Sequence, residues 1–197
     1  GAFMELAREH TNWSLKGIDL SESGLKEAVA KGLDVEKSLL SEFNDGKKYN
    51  LFTLFGVLEH IPEPTEILND IKNKTNKGDE SYTMMIVPNA YSLYHMFIQQ
   101  KSLSFDGRDH VNYFSDETIK IFFESNGFEV LKIDTVLTGI STIKRQIQWF
   151  DPNGDEDTER FIPNKLKTNL ASKDLENFMY KNNLGLRLRI FAKYYNY

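Results

Sequence analysis

The 197-residue chain contains no cysteine. Disulfides and thiolate metal sites are therefore excluded, no metal is expected, and a reducing, cytoplasmic setting is the default. No apolar run approaches the ~20 residues of a membrane-spanning helix, and no basic-then-apolar leader opens the sequence. Cations are in deficit: 24 Lys and Arg stand against 29 Asp and Glu, a net charge of −5. A protein that grips nucleic-acid backbone presents a basic surface, so neither nucleic acid nor membrane is an expected partner. Prolines number only 5, which makes each one informative as punctuation.

What is present is ordinary for a globular domain: 40% hydrophobic and 27% charged residues. The length supports one substantial core, so a single domain over residues 1–197 is expected. Aromatic residues are plentiful (14 Phe, 9 Tyr, 2 Trp) and cluster after residue 90.

Hydrophobic spacing alternates helix and strand through the first two-thirds. Phe3, Leu6 and Ala7 mark an amphipathic helix already running at residue 2. A short strand is expected at 15–19. Ser21 or Ser23 then caps a helix that buries Leu25, Ala28 and Val29 and stops at Gly32. Residues 33–40 read as a weak strand and loop. The apolar run 51–58 reads as a strand buried on both faces. Pro62 and Pro64 open a helix that buries Ile67, Leu68 and Ile71 and ends near Gly78. Residues 82–88 form a second apolar strand, a helix follows Ser115 and closes at Gly127, and 128–133 is a strand. A polar loop at 151–160, a helix at 172–182 and a period-two strand from Leu184 to Ile190 complete the chain. This order predicts a doubly wound α/β sheet, mostly parallel, with an antiparallel strand near the C-terminus.

Ligands bind such sheets beyond the carboxyl ends of their strands. Asp19 ends the first strand, where a carboxylate can accept from both hydroxyls of a ribose; equally, it can flank the next helix. Glu59 and His60 end the 51–58 run. Both cost free energy to bury unpaired. They serve either a ligand or local turn and cap bonds before Pro62. His60 and His110 are the candidate general bases, because histidine titrates near neutral pH. The alternative for His110 is a structural, hydrogen-bonded role. Tyr91, Tyr94, His95, Met96, Phe97, Phe105 and Arg108 either line an acceptor pocket or pack a lid, about residues 89–114, onto the core.

Four segments in order resemble the class I methyltransferases, the Rossmann-like family that uses S-adenosylmethionine. They are GAFMELAREHTNWSLKGIDLSES from Gly1, LFTLFGVLEHIPEP from Leu51, SYTMMIVPN from Ser81, and DHVNYFSDETIKIFFESNGFEVLKI from Asp109. The resemblance covers about residues 1–134. It implies S-adenosylmethionine as cofactor. Gly1 would be the last glycine of the cofactor loop, Asp19 would hold the ribose, and Leu20, Leu39 and Leu40 would flank adenine. Phe55 and Gly56 would lie near the methionine part together with Glu59, and His60 toward the substrate. It also implies that the family's first strand and first two glycines are absent from this chain. Leu39 stands where the family often has Asp, and Gly78-Asp79 where it usually has Gly-Gly.

The expected function is methyl transfer to a small-molecule acceptor at a hydroxyl. The alternatives are a non-catalytic relative with a decayed cofactor site and a nicotinamide dehydrogenase; the latter leaves LEHIPEP unexplained. Residues 136–183 are expected to build acceptor specificity or a homodimer contact.

Overall fold

A computed structural model describes residues 1–98, 102, 105, 107–136 and 173–197. The chain forms two compact units, Gly1–Lys48 and Tyr49–Tyr197.

In the first unit, α1 (Ala2–His10) leads to β1 (Gly17–Asp19), α2 (Glu22–Ala30) and β2 (Val35–Lys37). β1 and β2 pair in parallel, Gly17 opposite Val35 and Asp19 opposite Lys37. Ser21 caps α2, its hydroxyl accepting from the Gly24 amide at 3.2 Å. Arg8 donates to the carbonyls just past α2, of its C-cap Lys31 and of Gly32, and so satisfies groups the helix cannot. A Cβ on Gly17 would lie 2.7 Å from the Met4 sulfur and 2.9 Å from Val35 Cγ1, so only glycine lets α1 lie this close to β1. Ala7, Ala28, Leu33 and Phe43 are buried. Leu6 and Val29, expected in the core, are exposed. A two-stranded sheet offers only a narrow stripe, and the helices present wider apolar faces than it covers.

The second unit holds a four-stranded sheet in the order β3-β4-β6-β5. Its strands are β3 (Leu51–Phe55), β4 (Glu80–Pro88), β5 (Glu129–Val136) and β6 (Arg187–Tyr195). β3 and β4 are parallel; β6 runs antiparallel to both β4 and β5. The mostly parallel sheet with one antiparallel strand is the expected class. Among the described residues the unit also holds helices α3 (Pro64–Asn73), α4 (Leu93–Ile98), α5 (Asp116–Ser125) and α6 (Lys173–Lys181). Ser115 and Thr118 form a reciprocal capping box at the start of α5. Leu68, Ile71, Met85, Ile119, Phe123, Met179, Leu188 and Ile190 are fully buried and form the core.

Three expectations are corrected. The run from Leu51 is not buried on both faces: Leu51 and Phe55 are exposed, and Phe52 alone in β3 is buried. In its own sheet β3 is an edge strand. β4 alternates buried and less buried residues, with Ser81, Thr83, Met85 and Val87 inside. Its apolar run therefore concealed a one-sided strand. α3 also ends earlier than expected, at Asn73, where Lys74 closes it. The nearby Thr75 hydroxyl bonds to the Ile71 carbonyl and to Ser81, linking the helix end to β4. The acidic loop expected at 151–160 lies outside the described residues. So does most of the 136–183 region. Among the described residues no helix is long and apolar enough to cross a membrane.

Candidate active site

A cluster of polar and titratable side chains lies at the carboxyl end of β3. Gly56 donates the last rung of the parallel ladder to the Ile86 carbonyl at 2.9 Å. Its φ of +68° then turns the chain sharply, a conformation glycine adopts without strain. A single 3-10 turn, Leu58–His60, follows. It places Leu58 in the core and buries Glu59, which is 1% exposed.

A second segment, residues 107–114, lies over that turn. The Val111 and Asn112 amides both donate to the Glu59 carbonyl, at 2.9 and 3.1 Å. Asn112 Nδ2 donates to the Ile61 carbonyl at 2.6 Å. His60 Nδ1 meets the Asp109 carbonyl at 2.5 Å. Tyr113 closes the segment on itself, its hydroxyl donating to the His110 carbonyl and accepting from the Gly107 amide. The Ala90 amide bonds to the Phe114 carbonyl, tying the segment to the end of β4.

These bonds bring His60 and His110 together across fifty residues of sequence, with ring centroids 4.8 Å apart. A carbonyl only accepts, so His60 Nδ1 carries the proton of this bond, and the tautomer it selects has its lone pair on Nε2. Glu59 Oε1 lies 4.0 Å from that nitrogen and 3.9 Å from Arg187 Nη1 on β6. Glu59 Oε2 is buried with no hydrogen-bond partner among the described residues. Arg187 is a residue sequence reasoning missed. The period-two pattern identified β6, but only its pairing with β4, Arg187 opposite Pro88, brings it here.

The other lid candidates divide. Tyr94 and His95 are buried and pack inward. Burial pushes the Tyr94 phenol up to about 12. Burial also pulls His95 below its ordinary value, against the opposing pull of the Asn89 carbonyl, with His110 adding to the depression. His95 Nδ1 reaches that carbonyl at 2.6 Å, and its ring rests against Phe105. Tyr91, Met96 and Arg108 are exposed. The side chain of Phe97 lies outside the described residues. Asn89 is itself buried; its amide donates to the Asn183 and Gly185 carbonyls and holds the start of β6 against the end of β4.

In the first unit, Asp19 is exposed at the end of β1, and its Oδ1 accepts from the Ser21 amide at 2.8 Å. Its role at the head of α2 is therefore real, and it leaves the carboxylate at the surface. Leu20 and Leu39 are large apolar side chains left exposed, and Leu40 is half-buried. A Cβ on Gly1 would stand 2.7 Å from Leu33 Cδ1, so a side chain here would have to push the end of Leu33 aside. An exposed carboxylate with apolar neighbours after two parallel strands fits a nucleoside: hydroxyls for the acid, a flat base for the leucines.

Residues 1–133 match the family model described as a methyltransferase domain. A search of curated protein sequences finds no significant match. Among solved structures, the chain is similar to a SAM-dependent methyltransferase from Archaeoglobus fulgidus, at 22% identity and a TM-score of 0.57, covering 97% of this chain and 80% of that one. It is also similar to an S-adenosylmethionine-dependent methyltransferase from Mesorhizobium loti, at 14% identity and a TM-score of 0.56, covering 97% and 85%. A third is the plantazolicin methyltransferase BpumL, solved with SAH, at 14% identity and a TM-score of 0.58, covering 98% and 72%. The family model spans most of the chain, and the fold is that of these enzymes: the chain belongs to the methyltransferase-domain family, the S-adenosylmethionine-dependent class I methyltransferases.

Proposed function

We propose that the protein transfers the methyl group of S-adenosylmethionine to a hydroxyl of a small-molecule acceptor, with His60 and His110 assisting loss of the hydroxyl proton. The observation that carries this reading is the His60–His110 pair, held by the Asp109 carbonyl so that His60 Nε2 is the bare nitrogen. The sulfonium cofactor supplies an activated methyl and a good leaving group. The protein must chiefly align the acceptor oxygen with that methyl at ~3–3.5 Å. A hydroxyl also needs to lose its proton, and a positioned imidazole assists that step.

In this reading Asp19 holds the ribose, Leu20, Leu39 and Leu40 flank adenine, and Gly1 admits the backbone close to the cofactor. Phe55 and Gly56, with Glu59 beside them, serve the methionine part. The exposed Tyr91, Met96 and Arg108 form the acceptor side. A net charge of −5 favours a small metabolite over nucleic acid, and the lack of cysteine fits a reducing cytoplasm. His60→Ala in the full protein tests the assignment. Turnover on hydroxyl acceptors should fall by ~100-fold or more, while S-adenosylmethionine affinity, read by calorimetry, changes little. Unchanged turnover refutes it.

A further inference from the structure

Glu59 poses a problem that the methyl-transfer reading does not resolve. It is a carboxylate 1% exposed, its Oε2 has no hydrogen-bond partner among the described residues, and the Arg187 guanidinium and the His60 ring near Oε1 stand at 3.9 and 4.0 Å, beyond hydrogen-bond range. A buried carboxylate is retained when something satisfies its charge. Two imidazoles stand beside it. One ligating atom each from Glu59, His60 and His110 lie within 4.8 Å of one another.

We propose that Glu59, His60 and His110 form a binding site for a divalent transition-metal ion of the zinc type. Three features of the cluster support it. First, the donor set of two imidazoles and one carboxylate suits such ions better than magnesium or calcium, which favour all-oxygen ligands. Second, the spacing is within reach of a formed site. With metal–ligand bonds of about 2.1 Å, the ligand atoms of a tetrahedral ion stand ~3.4 Å apart. The widest separation of 4.8 Å therefore has to close by roughly 1.4 Å, which rotation of the side chains can supply. Third, the orientation of His60 is set from outside the cluster. A metal-bound histidine typically donates its other ring N–H to a carbonyl or carboxylate, which fixes the tautomer and aims the ligating nitrogen. His60 Nδ1 meets the Asp109 carbonyl in this way and leaves Nε2 facing Glu59.

The surroundings agree with an ion that keeps open positions. Glu59 is deep, His110 is half-buried and His60 is 43% exposed, so the cluster opens toward solvent on the histidine side. Three protein ligands leave a fourth position for an oxygen from outside. Arg187 is a nearby cation that an ion would repel. Its side chain is 42% exposed on β6 and has solvent to move into. Glu59 thereby gains a partner other than the cofactor.

The chemical role of the site rests on the proposed function. An acceptor hydroxyl in the fourth position would be acidified by the ion and release its proton to solvent. The oxygen would then form the new O–C bond as the C–S bond breaks, and the sulfonium becomes a neutral thioether. The products are a methyl ether, S-adenosylhomocysteine and one proton. The histidines would then act through the ion rather than as free bases.

The test uses the full protein freed of ions by a chelator. It is titrated with Co2+, followed by visible absorption, and with Zn2+, followed by calorimetry. One ion should bind per chain. Glu59→Gln and His110→Asn should each weaken it by ~100-fold or more, since loss of an outer-sphere partner alone weakens metal sites 10–100-fold. His10→Asn, remote in sequence and in the other unit, should leave affinity unchanged. Should Glu59→Gln fail to fold, His60→Asn and His110→Asn give the same readout from the exposed side. No bound ion, or affinity unchanged in the cluster variants, overturns the site. Failure here is separable from failure of the proposed function: hydroxyl methylation with no bound ion removes the site alone, whereas a bound ion without hydroxyl methylation leaves the site and removes its role.

Discussion

Asp134 is the residue on which the electrostatics of the second unit are most directly measurable. It lies on β5 directly opposite Arg189 on β6 and is 4% exposed. The Arg189 guanidinium binds it two-pronged, Nε to Oδ1 at 2.8 Å and Nη2 to Oδ2 at 2.7 Å, and Lys132 reaches Oδ2 at 2.8 Å. Arg189 above all, with Lys132, holds the Asp134 carboxyl at about 2 against its ordinary 3.8, in spite of its burial. At 1.36 kcal/mol per pH unit that gap is worth roughly 2 kcal/mol of folding stability at neutral pH. The group is depressed in the fold. Its contribution is therefore complete above the unfolded value near 4 and is lost as pH falls through about 2. Asp134→Asn keeps the shape and removes the charge. At pH 7 it should lower stability by about 2 kcal/mol in urea denaturation followed by circular dichroism. At pH 3 the gap between wild type and variant should have narrowed by about 1 kcal/mol. A variant as stable as wild type at pH 7, or a gap independent of pH between 7 and 3, refutes the reasoning.

Two further predictions concern packing and backbone. Phe123 is fully buried between Phe122 and Phe128, so Phe123→Ala should lower stability by ~3–5 kcal/mol, measured by the same urea titration. Gly56→Ala meets no hard contact, since the nearest atom to its Cβ is Glu59 Oε1 at 3.6 Å, but φ is +68°. It should cost about 1 kcal/mol through strain alone; a neutral result would show that the turn does not need its left-handed residue.

The parts of the fold that could be read from the sequence are those governed by neighbours along the chain. Ser21 and Ser115 cap helices because a short hydroxyl side chain can reach an amide three residues on. Pro64 opens α3 and Gly127, at φ +81°, closes α5, for equally local reasons. The alternation of Leu184, Leu186, Leu188 and Ile190 revealed β6, which runs from Arg187 to Tyr195. What failed was depth. Leu51 to Phe55 is apolar enough for a central strand, yet exposure depends on what lies alongside, and hydrophobicity does not report that. Leu6 and Val29 mislead for the same reason.

The candidate site divides along the same line. Glu59-His60 after an apolar strand already signalled chemistry, because buried polar side chains at a strand's carboxyl end need a reason. The sequence by itself determined the donor types, the turn that carries them and the family to which the chain belongs. It left His110 as one histidine among several aromatic residues. Tertiary structure alone decided that two Glu59 carbonyl bonds and the Asp109 carbonyl dock residues 107–114 on that turn and set two imidazoles beside one buried carboxylate. The physical reason is range. Capping and periodicity act over a few residues, whereas the His60–His110 contact spans fifty and exists only once hydrogen bonds between separate segments have closed the loop.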